Sequence, residues 1–500
     1  MLRSVRGVWG SRPFAYAPTA GVQSALLRRG FVSKQDFEAM PLPCVDQHDL
    51  RERQLRVERQ QGIQVQNEST NAMEGAGPEP AYQKTESGYE VFLHTDRFEL
   101  DYGGALPSFQ IAYETWGSLN EARDNAILLH TGLSASSHAA STDKNPAKGW
   151  WEDFIGPGKA LDTNRFYVIC TNVLGSCFGS TGPSSPCPQD GEPYATRFPI
   201  LSIFDMIRAQ FLLLDHLGID RLYASIGSSM GGMQSIAATH LYPTRVNKMA
   251  SISGTARSAP SGIALRYAQR SVLMADANWN RGFYYGSDQM LPHTGMKLAR
   301  QIATITYRSG PEWEQRFGRI RRTSNRDLAI AEARIPALCP DFLVETYLDH
   351  QGEQFCLKYD ANSLIYISKS MDLFDMSDDA LAHLGETRAL VHGNDGNLPV
   401  SSDQIQDLPD TSQSSKTQRK HISTISNPGA HHYVPSLARG LSRLRDVPTL
   451  IIGVQSDILF PVEQQRELAE CLRMNGNRSV MYYELDAPHG HDSFLYVSYY

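Results

Sequence analysis

The pentapeptide Gly227-Ser228-Ser229-Met230-Gly231 constrains this chain more than any other feature. An apolar, strand-like run at 221–226 ends directly before it, and a helix-like run at 233–242 follows. A strand that turns straight into a helix holds its middle residue in strained backbone, and glycines two positions away remove the Cβ atoms that would collide there. Such a turn presents Ser229 as a candidate nucleophile. It also sets the serine at the positive end of the following helix, where the N–H of Met230 has no intrahelical acceptor and can face an oxyanion. The five residues alone are a weak signal, since glycine and serine are common in ordinary turns. Their surroundings add weight: a helix-like segment at 203–217 ends at Gly218, and the helix after the turn stops at Pro243.

A serine hydroxyl becomes a nucleophile only when a histidine takes its proton, and that histidine needs a carboxylate to fix its tautomer. Both are found downstream. Pro448-Thr-Leu-Ile-Ile-Gly-Val454 reads as a buried parallel strand, with Asp457 just past its carboxyl end as the candidate acid. A helix-like segment at 462–474 and a strand-like run at 480–485 follow, and then Asp486-Ala-Pro-His-Gly-His-Asp492. His491 is the candidate base, with His489 as its rival; spacing alone does not choose between them. A metal site is not expected, because no cluster of Glu, His or Cys at ligand spacing accompanies the His-x-His pair. The chain order serine, acid, histidine is that of the α/β-hydrolase fold.

The rest of the chain suits that fold class. Strands are expected at 89–93, 109–115, 126–130 and 166–171 before the serine turn, alternating with helices as a mostly parallel sheet requires. After 250–253 the period changes, and helices are expected at 263–275, 296–307, 311–317 and 340–350, an inserted lid over the carboxyl edge of the sheet. The expected divisions are a first core part at 85–255, a helical lid at 256–446, and a second core part at 447–500. Within the lid a polar stretch from about Ser377 to Arg445 is expected to be a disordered insertion, with 403–427 richest in Ser, Thr, Gln and Asp.

Longer blocks give the chain a family. Leu129-His-Thr-Gly-Leu133, Gly149-Trp-Trp-Glu-Asp-Phe-Ile-Gly-Pro-Gly158, Asn172-Val-Leu-Gly-Ser-Cys-Phe-Gly-Ser-Thr-Gly-Pro183, Lys297-Leu-Ala-Arg-Gln-Ile302 with Thr306-Tyr-Arg-Ser309, the block 355–362 and Gly490-His-Asp-Ser-Phe-Leu495 resemble the homoserine O-acetyltransferase family of α/β-hydrolase-fold acyltransferases. The resemblance implies Ser229 as nucleophile, Asp457 as acid and His491, the histidine of Gly-His-Asp, as base. It implies oxyanion donors at the backbone N–H groups of Leu133 and Met230. It also implies Arg300 as the group that holds the amino-acid carboxylate and Asp492 as the group that holds its ammonium. A guanidinium forks onto a carboxylate, which suits the first of these roles. Three features depart from the usual family pattern: the turn begins Gly-Ser-Ser rather than Gly-Gly-Ser, the polar stretch interrupts the lid, and only nine residues follow His491, which would cut short the final helix.

The segment 261–276 followed by Trp279-Asn-Arg-Gly-Phe-Tyr284 is similar to that of fungal mitochondrial members that acetylate serine. The implied reaction is therefore acetyl transfer from acetyl-CoA to the hydroxyl of L-serine, with homoserine as the alternative acceptor and succinyl as the alternative acyl group. The filled triad positions make an esterase or thioesterase on the same scaffold the next reading, and a non-catalytic binding protein the last.

Residues 1–35 carry Arg3, Arg6, Arg12, Arg28 and Arg29 with no acidic side chain, the profile of a transit peptide, so import into the mitochondrial matrix is expected. Residues 36–84 turn charged and Gln-rich, as a flexible leader does. At 41% hydrophobic, five hundred residues suffice for a large buried core. A net charge of −7 argues against nucleic acid or an anionic membrane as the main partner. No apolar run approaches the length of a bilayer span. Seven scattered cysteines without CxxC pairs suit a reduced compartment. The expected partners are small molecules, acetyl-CoA and L-serine or L-homoserine, with no resident cofactor and a homodimer left open.

Overall fold

Apolar runs bounded by turn signals become the strands of one sheet in the computed structural model, which describes residues 88–286, 289–321, 340–392 and 429–495. The Arg-rich leader, the segment 36–84 and the polar run 403–427 lie outside the described residues. The sheet has eight strands: β1 (Glu90–His94), β2 (Phe109–Trp116), β3 (Ala126–His130), β4 (Tyr167–Thr171), β5 (Ala224–Ser228), β6 (Met249–Ile252), β7 (Thr449–Val454) and β8 (Val480–Leu485). Their spatial order is β1-β2-β4-β3-β5-β6-β7-β8. β2 runs antiparallel to both β1 and β4, and β3 to β8 with β4 are parallel. All five residues of β3 are buried, because a central parallel strand is covered on both faces. β8 is an edge strand with no fully buried residue.

Ten helices are described: α1 (Ile203–His216), α2 (Met230–Leu241), α3 (Pro260–Met274), α4 (His293–Tyr307), α5 (Gly310–Arg316), α6 (Leu343–Cys356), α7 (Ala361–Asp372), α8 (Asp378–His392), α9 (Gly429–Gly440) and α10 (Val462–Met474). α1 opens with a capping box, in which the Ser202 hydroxyl accepts from Asp205 N and the Asp205 carboxylate accepts from Ser202 N. It stops at Gly218, whose φ of +68° the next L-residue could not adopt cheaply. α2 packs on α1 and on the sheet, and α10 covers β7 and β8. Between β6 and β7, helices α3 to α7 form a lid, with α4 lying between α3 and α6.

Helices α3 and α4 begin three residues before the expected positions and α6 ends six residues after, and three further departures bear on the site or on what holds it. α2 begins at Met230 rather than 233, so the serine turn leads into the helix without a spacer. A helix absent from the expectation, α7, is capped by the Asp360 carboxylate accepting from Ser363 N at 2.8 Å. The polar stretch expected to be disordered from 377 to 445 is helical at both ends, as α8 and α9. These ends are held by buried contacts that polar composition hides. Leu384 and Leu437 enter the main core, and Arg388 makes a two-pronged ion pair with the buried Asp101 at 2.8 and 2.9 Å.

Asp101 shares its pocket with Asp205, and Arg208 bonds both carboxylates. Burial works against the charge on Asp101, but Arg388, Ser202 and Arg208 together hold its carboxyl below the usual range. Removing Arg388 leaves two buried carboxylates facing one guanidinium. Because Arg388 is 37% exposed, Arg388→Gln is expected to cost about 2 kcal/mol, between the value of a surface pair and that of a fully buried one. Urea unfolding measures it, and an unchanged midpoint would show that α8 is not part of the cooperative fold.

Candidate active site

Four strand ends deliver the chemistry to one edge of the sheet. β5 leads into Ser229, whose φ of 59° and ψ of −124° are strained for a residue with a Cβ. The flanking glycines are sterically required. A methyl on Gly227 would lie 2.2 Å from Gly231 O, and one on Gly231 would lie 2.3 Å from His130 O at the end of β3. Beneath them is a small polar core in which His130 Nε2 meets Ser225 Oγ at 2.8 Å and Ser225 meets Ser235 at 3.0 Å. Complete burial pushes the His130 imidazole down to about 3, so it stays neutral at any working pH. Ser228, which replaces the usual family glycine, is buried and has ordinary backbone.

β7 ends at Val454, and Asp457 follows, 3% exposed. Its Oδ1 accepts from the backbone N–H groups of Leu459 and Phe460, both at 2.9 Å, and its Oδ2 meets His491 Nδ1 at 2.6 Å. The two backbone donors fix the carboxylate, and the carboxylate fixes the imidazole. Phe460 stacks on the His491 ring at 5.0 Å and Phe494 meets it edge-on at 5.5 Å. Nε2 of His491 is buried with no hydrogen-bond partner among the described residues. Ser229 Oγ likewise forms no hydrogen bond among them, so the serine and histidine are not yet bonded to each other, as is common before substrate arrives. His489 turns elsewhere: its Nδ1 lies 3.9 Å from Glu312 on α5.

The turn bearing His491 is gripped from two sides. On the lid side, Ser309 donates to Pro488 O, and Gly490 sits so close that a methyl there would be 2.6 Å from Tyr307 O. On the core side, the Trp151 indole donates to Phe494 O at 3.2 Å, while its stacked neighbour Trp150 donates to Ser136 O at 2.9 Å. Neither tryptophan declares this role in the sequence, because nothing local tells which carbonyl an indole reaches.

Leu133 lies in the loop after β3, directly after Gly132, where a methyl would be 3.9 Å from Ser229 Cβ. The N–H groups of Leu133 and Met230 donate to no acceptor among the described residues. The Gln234 amide on α2 donates to Thr131 O at 2.9 Å and accepts from Gln210 at 2.9 Å, tying the loop to the serine helix. Arg300, on α4, is buried; its guanidinium lies 4.6 Å over the Phe355 ring and 5.2 Å from the Tyr307 ring, and Nη2 donates to Tyr307 Oη at 3.3 Å. Asp492 follows His491 directly and is half-buried.

Burial alone would lower the His491 pKa, but the charge of Asp457, its hydrogen bond and the charge of Asp492 together raise it above the ordinary 6.5. Because the folded value exceeds the unfolded one, this histidine adds stability that is fully present below the unfolded pKa and is lost as pH rises through the folded value. An NMR titration of the imidazole is expected to find its midpoint above 6.5, and Asp492→Asn, which removes a negative charge, is expected to move it to lower pH. A midpoint at or below the ordinary value in the unsubstituted protein would contradict this electrostatic account.

Comparison with known proteins agrees with this geometry. The family described as the alpha/beta hydrolase fold matches residues 125–496. A protein of Schizosaccharomyces pombe named serine O-succinyltransferase is 54% identical over 473 residues, which cover 91% of this chain and 91% of that protein. Among solved structures, homoserine O-acetyltransferase from Bacillus anthracis aligns with a TM-score of 0.62 at 25% identity, over 81% of this chain and 92% of that one. Esterase E22 aligns with a TM-score of 0.61 at 26% identity, over 81% of this chain and 95% of that one. The strand order, the serine turn and these likenesses lead to one assignment: the chain belongs to the homoserine O-acetyltransferase family of α/β-hydrolase-fold enzymes and is an O-acyltransferase.

Proposed function

We propose that the enzyme transfers a succinyl group from succinyl-CoA to the hydroxyl of L-serine through an acyl-enzyme on Ser229. The observation that carries the covalent route is the Asp457–His491 contact of 2.6 Å with the histidine's Nε2 left unpartnered. His491 takes the Ser229 proton as the serine attacks the thioester. The developing oxyanion rests on the N–H groups of Leu133 and Met230, and the thiol leaves with the proton from His491. In the second half, His491 takes the proton of the serine substrate's hydroxyl as it attacks the acyl-enzyme carbonyl, and the bond to Ser229 Oγ breaks as His491 returns the proton to that oxygen.

The family resemblance alone favoured an acetyl donor. The succinyl donor is preferred because the S. pombe relative, named serine O-succinyltransferase, matches nearly the whole chain at 54% identity, whereas the B. anthracis homoserine O-acetyltransferase matches at 25%. The same name supports serine as acceptor, and geometry adds a reason. With the substrate carboxylate on Arg300 and its ammonium on Asp492, homoserine's extra methylene carries its hydroxyl about a bond length away from the reacting carbonyl. A misplacement of about 1 Å costs on the order of a hundredfold in a positioned reaction.

Transfer also has to outrun hydrolysis, because water can empty the same acyl-enzyme. The lid, closed on the histidine turn at Ser309 and Gly490, supports exclusion of water, and Arg300 with Asp492 supports capture of the amino acid.

Free thiol is followed with succinyl-CoA or acetyl-CoA as donor and serine, homoserine or no amino acid as acceptor. Expected is the highest kcat/KM for succinyl-CoA with serine, with homoserine lower by on the order of a hundredfold. Preference for acetyl-CoA would return the donor to acetyl. Equal rates for homoserine would overturn the acceptor, and equal turnover without any amino acid would make the enzyme a thioesterase.

A further inference from the structure

The Leu133 N–H can stabilise an oxyanion only if the loop after β3 is held still, yet that loop is irregular backbone. One flank is tied down by Gln234, which grips Thr131 O. The other is gripped from the lid: Tyr359, between α6 and α7, donates its hydroxyl to Leu133 O at 2.7 Å.

We propose that Tyr359 is a positioning residue for acyl transfer, fixing the Leu133 backbone so that its N–H points at the oxyanion, and that through Phe355 it joins this donor to the acceptor-binding Arg300. The proposal rests on the oxyanion role given above to Leu133. Tyr359 holds the Leu133–Ser134 peptide and Gln234 holds the Thr131–Gly132 peptide, so the Gly132–Leu133 peptide that carries the N–H is bounded on both sides.

Tyr359 is itself rigidly mounted. Its ring stacks on Phe355 at 5.1 Å and 13°, and Phe178 meets it edge-on at 5.5 Å. Arg300 lies on that same Phe355 ring. The next residue, Asp360, is anchored by the hydroxyls of Tyr284 at 2.7 Å and Tyr285 at 3.1 Å, besides capping α7. The segment running up to Tyr284, which is similar to that of members that acetylate serine, thereby braces the tyrosine that holds the loop after β3.

Tyr359→Phe keeps the ring and its stacking and removes only the hydroxyl. Single-turnover acylation is measured with two probes: thiol release from succinyl-CoA without amino acid, and phenol release from p-nitrophenyl acetate, which needs the same oxyanion site but no CoA. The expected result is that both rates fall by the same factor, about tenfold, with the KM for serine unchanged. Wild-type rates with both probes overturn the proposal. So does a loss confined to the KM for serine, which would make Tyr359 part of the acceptor site. If the unsubstituted enzyme releases phenol but no thiol from succinyl-CoA, the donor reading fails while the phenol rates still decide the role of Tyr359. The thermal midpoint is measured alongside, and rates are compared at a temperature where both proteins are folded.

Discussion

The backbone at Ser229 is the constraint around which the site is arranged. A φ of 59° in a residue with a Cβ costs on the order of 1–3 kcal/mol, and persists only because the surroundings over-determine it. Here they do so by contact. β5 cannot reach α2 by another path while Gly227 presses on Gly231 and Gly231 presses on His130 O. Almost the whole of α2 is buried, so the apolar burial of that helix offsets the strain of one residue. The same turn starts α2 at Met230 directly after the serine, and the Met230 N–H donates to no acceptor among the described residues.

The remaining groups arrive from three further strand ends, and each is held in place by its neighbours. Asp457 is fixed by two backbone N–H groups and His491 by Asp457. The histidine turn is pressed between Trp151 and the lid at Tyr307 and Ser309. The lid touches the site as well as covering it: it carries Arg300, grips the histidine turn and reaches down through Tyr359 to Leu133 O in the loop after β3.

How legible all this is from sequence depends on whether the signal is local. α10 and β8 lie at the residues expected because an amphipathic period and an apolar run declare themselves. The start of α2 is obscured because Gly231-Gly232 reads as a turn when its packing partners are unseen. α8 is obscured for the opposite reason: its polar composition conceals one buried leucine and an ion pair to Asp101, 287 residues away in the chain. At the site, residue types and order are local and could be read, but pairings are not. Spacing left His489 and His491 equal, whereas in the structure one lies on Asp457 and the other beside Glu312. The grips of Gln234, Tyr359 and the two tryptophans join distant segments, and no sequence period announces them.

In the proposed reaction Ser229 carries the acyl group between the two substrates. Mass spectrometry of the intact protein, mixed briefly with succinyl-CoA and no amino acid, followed by peptide mapping, tests it most directly. A succinyl adduct is expected on Ser229, discharged on adding serine and absent from Ser229→Ala. An adduct on another residue, or steady turnover by Ser229→Ala, would contradict it.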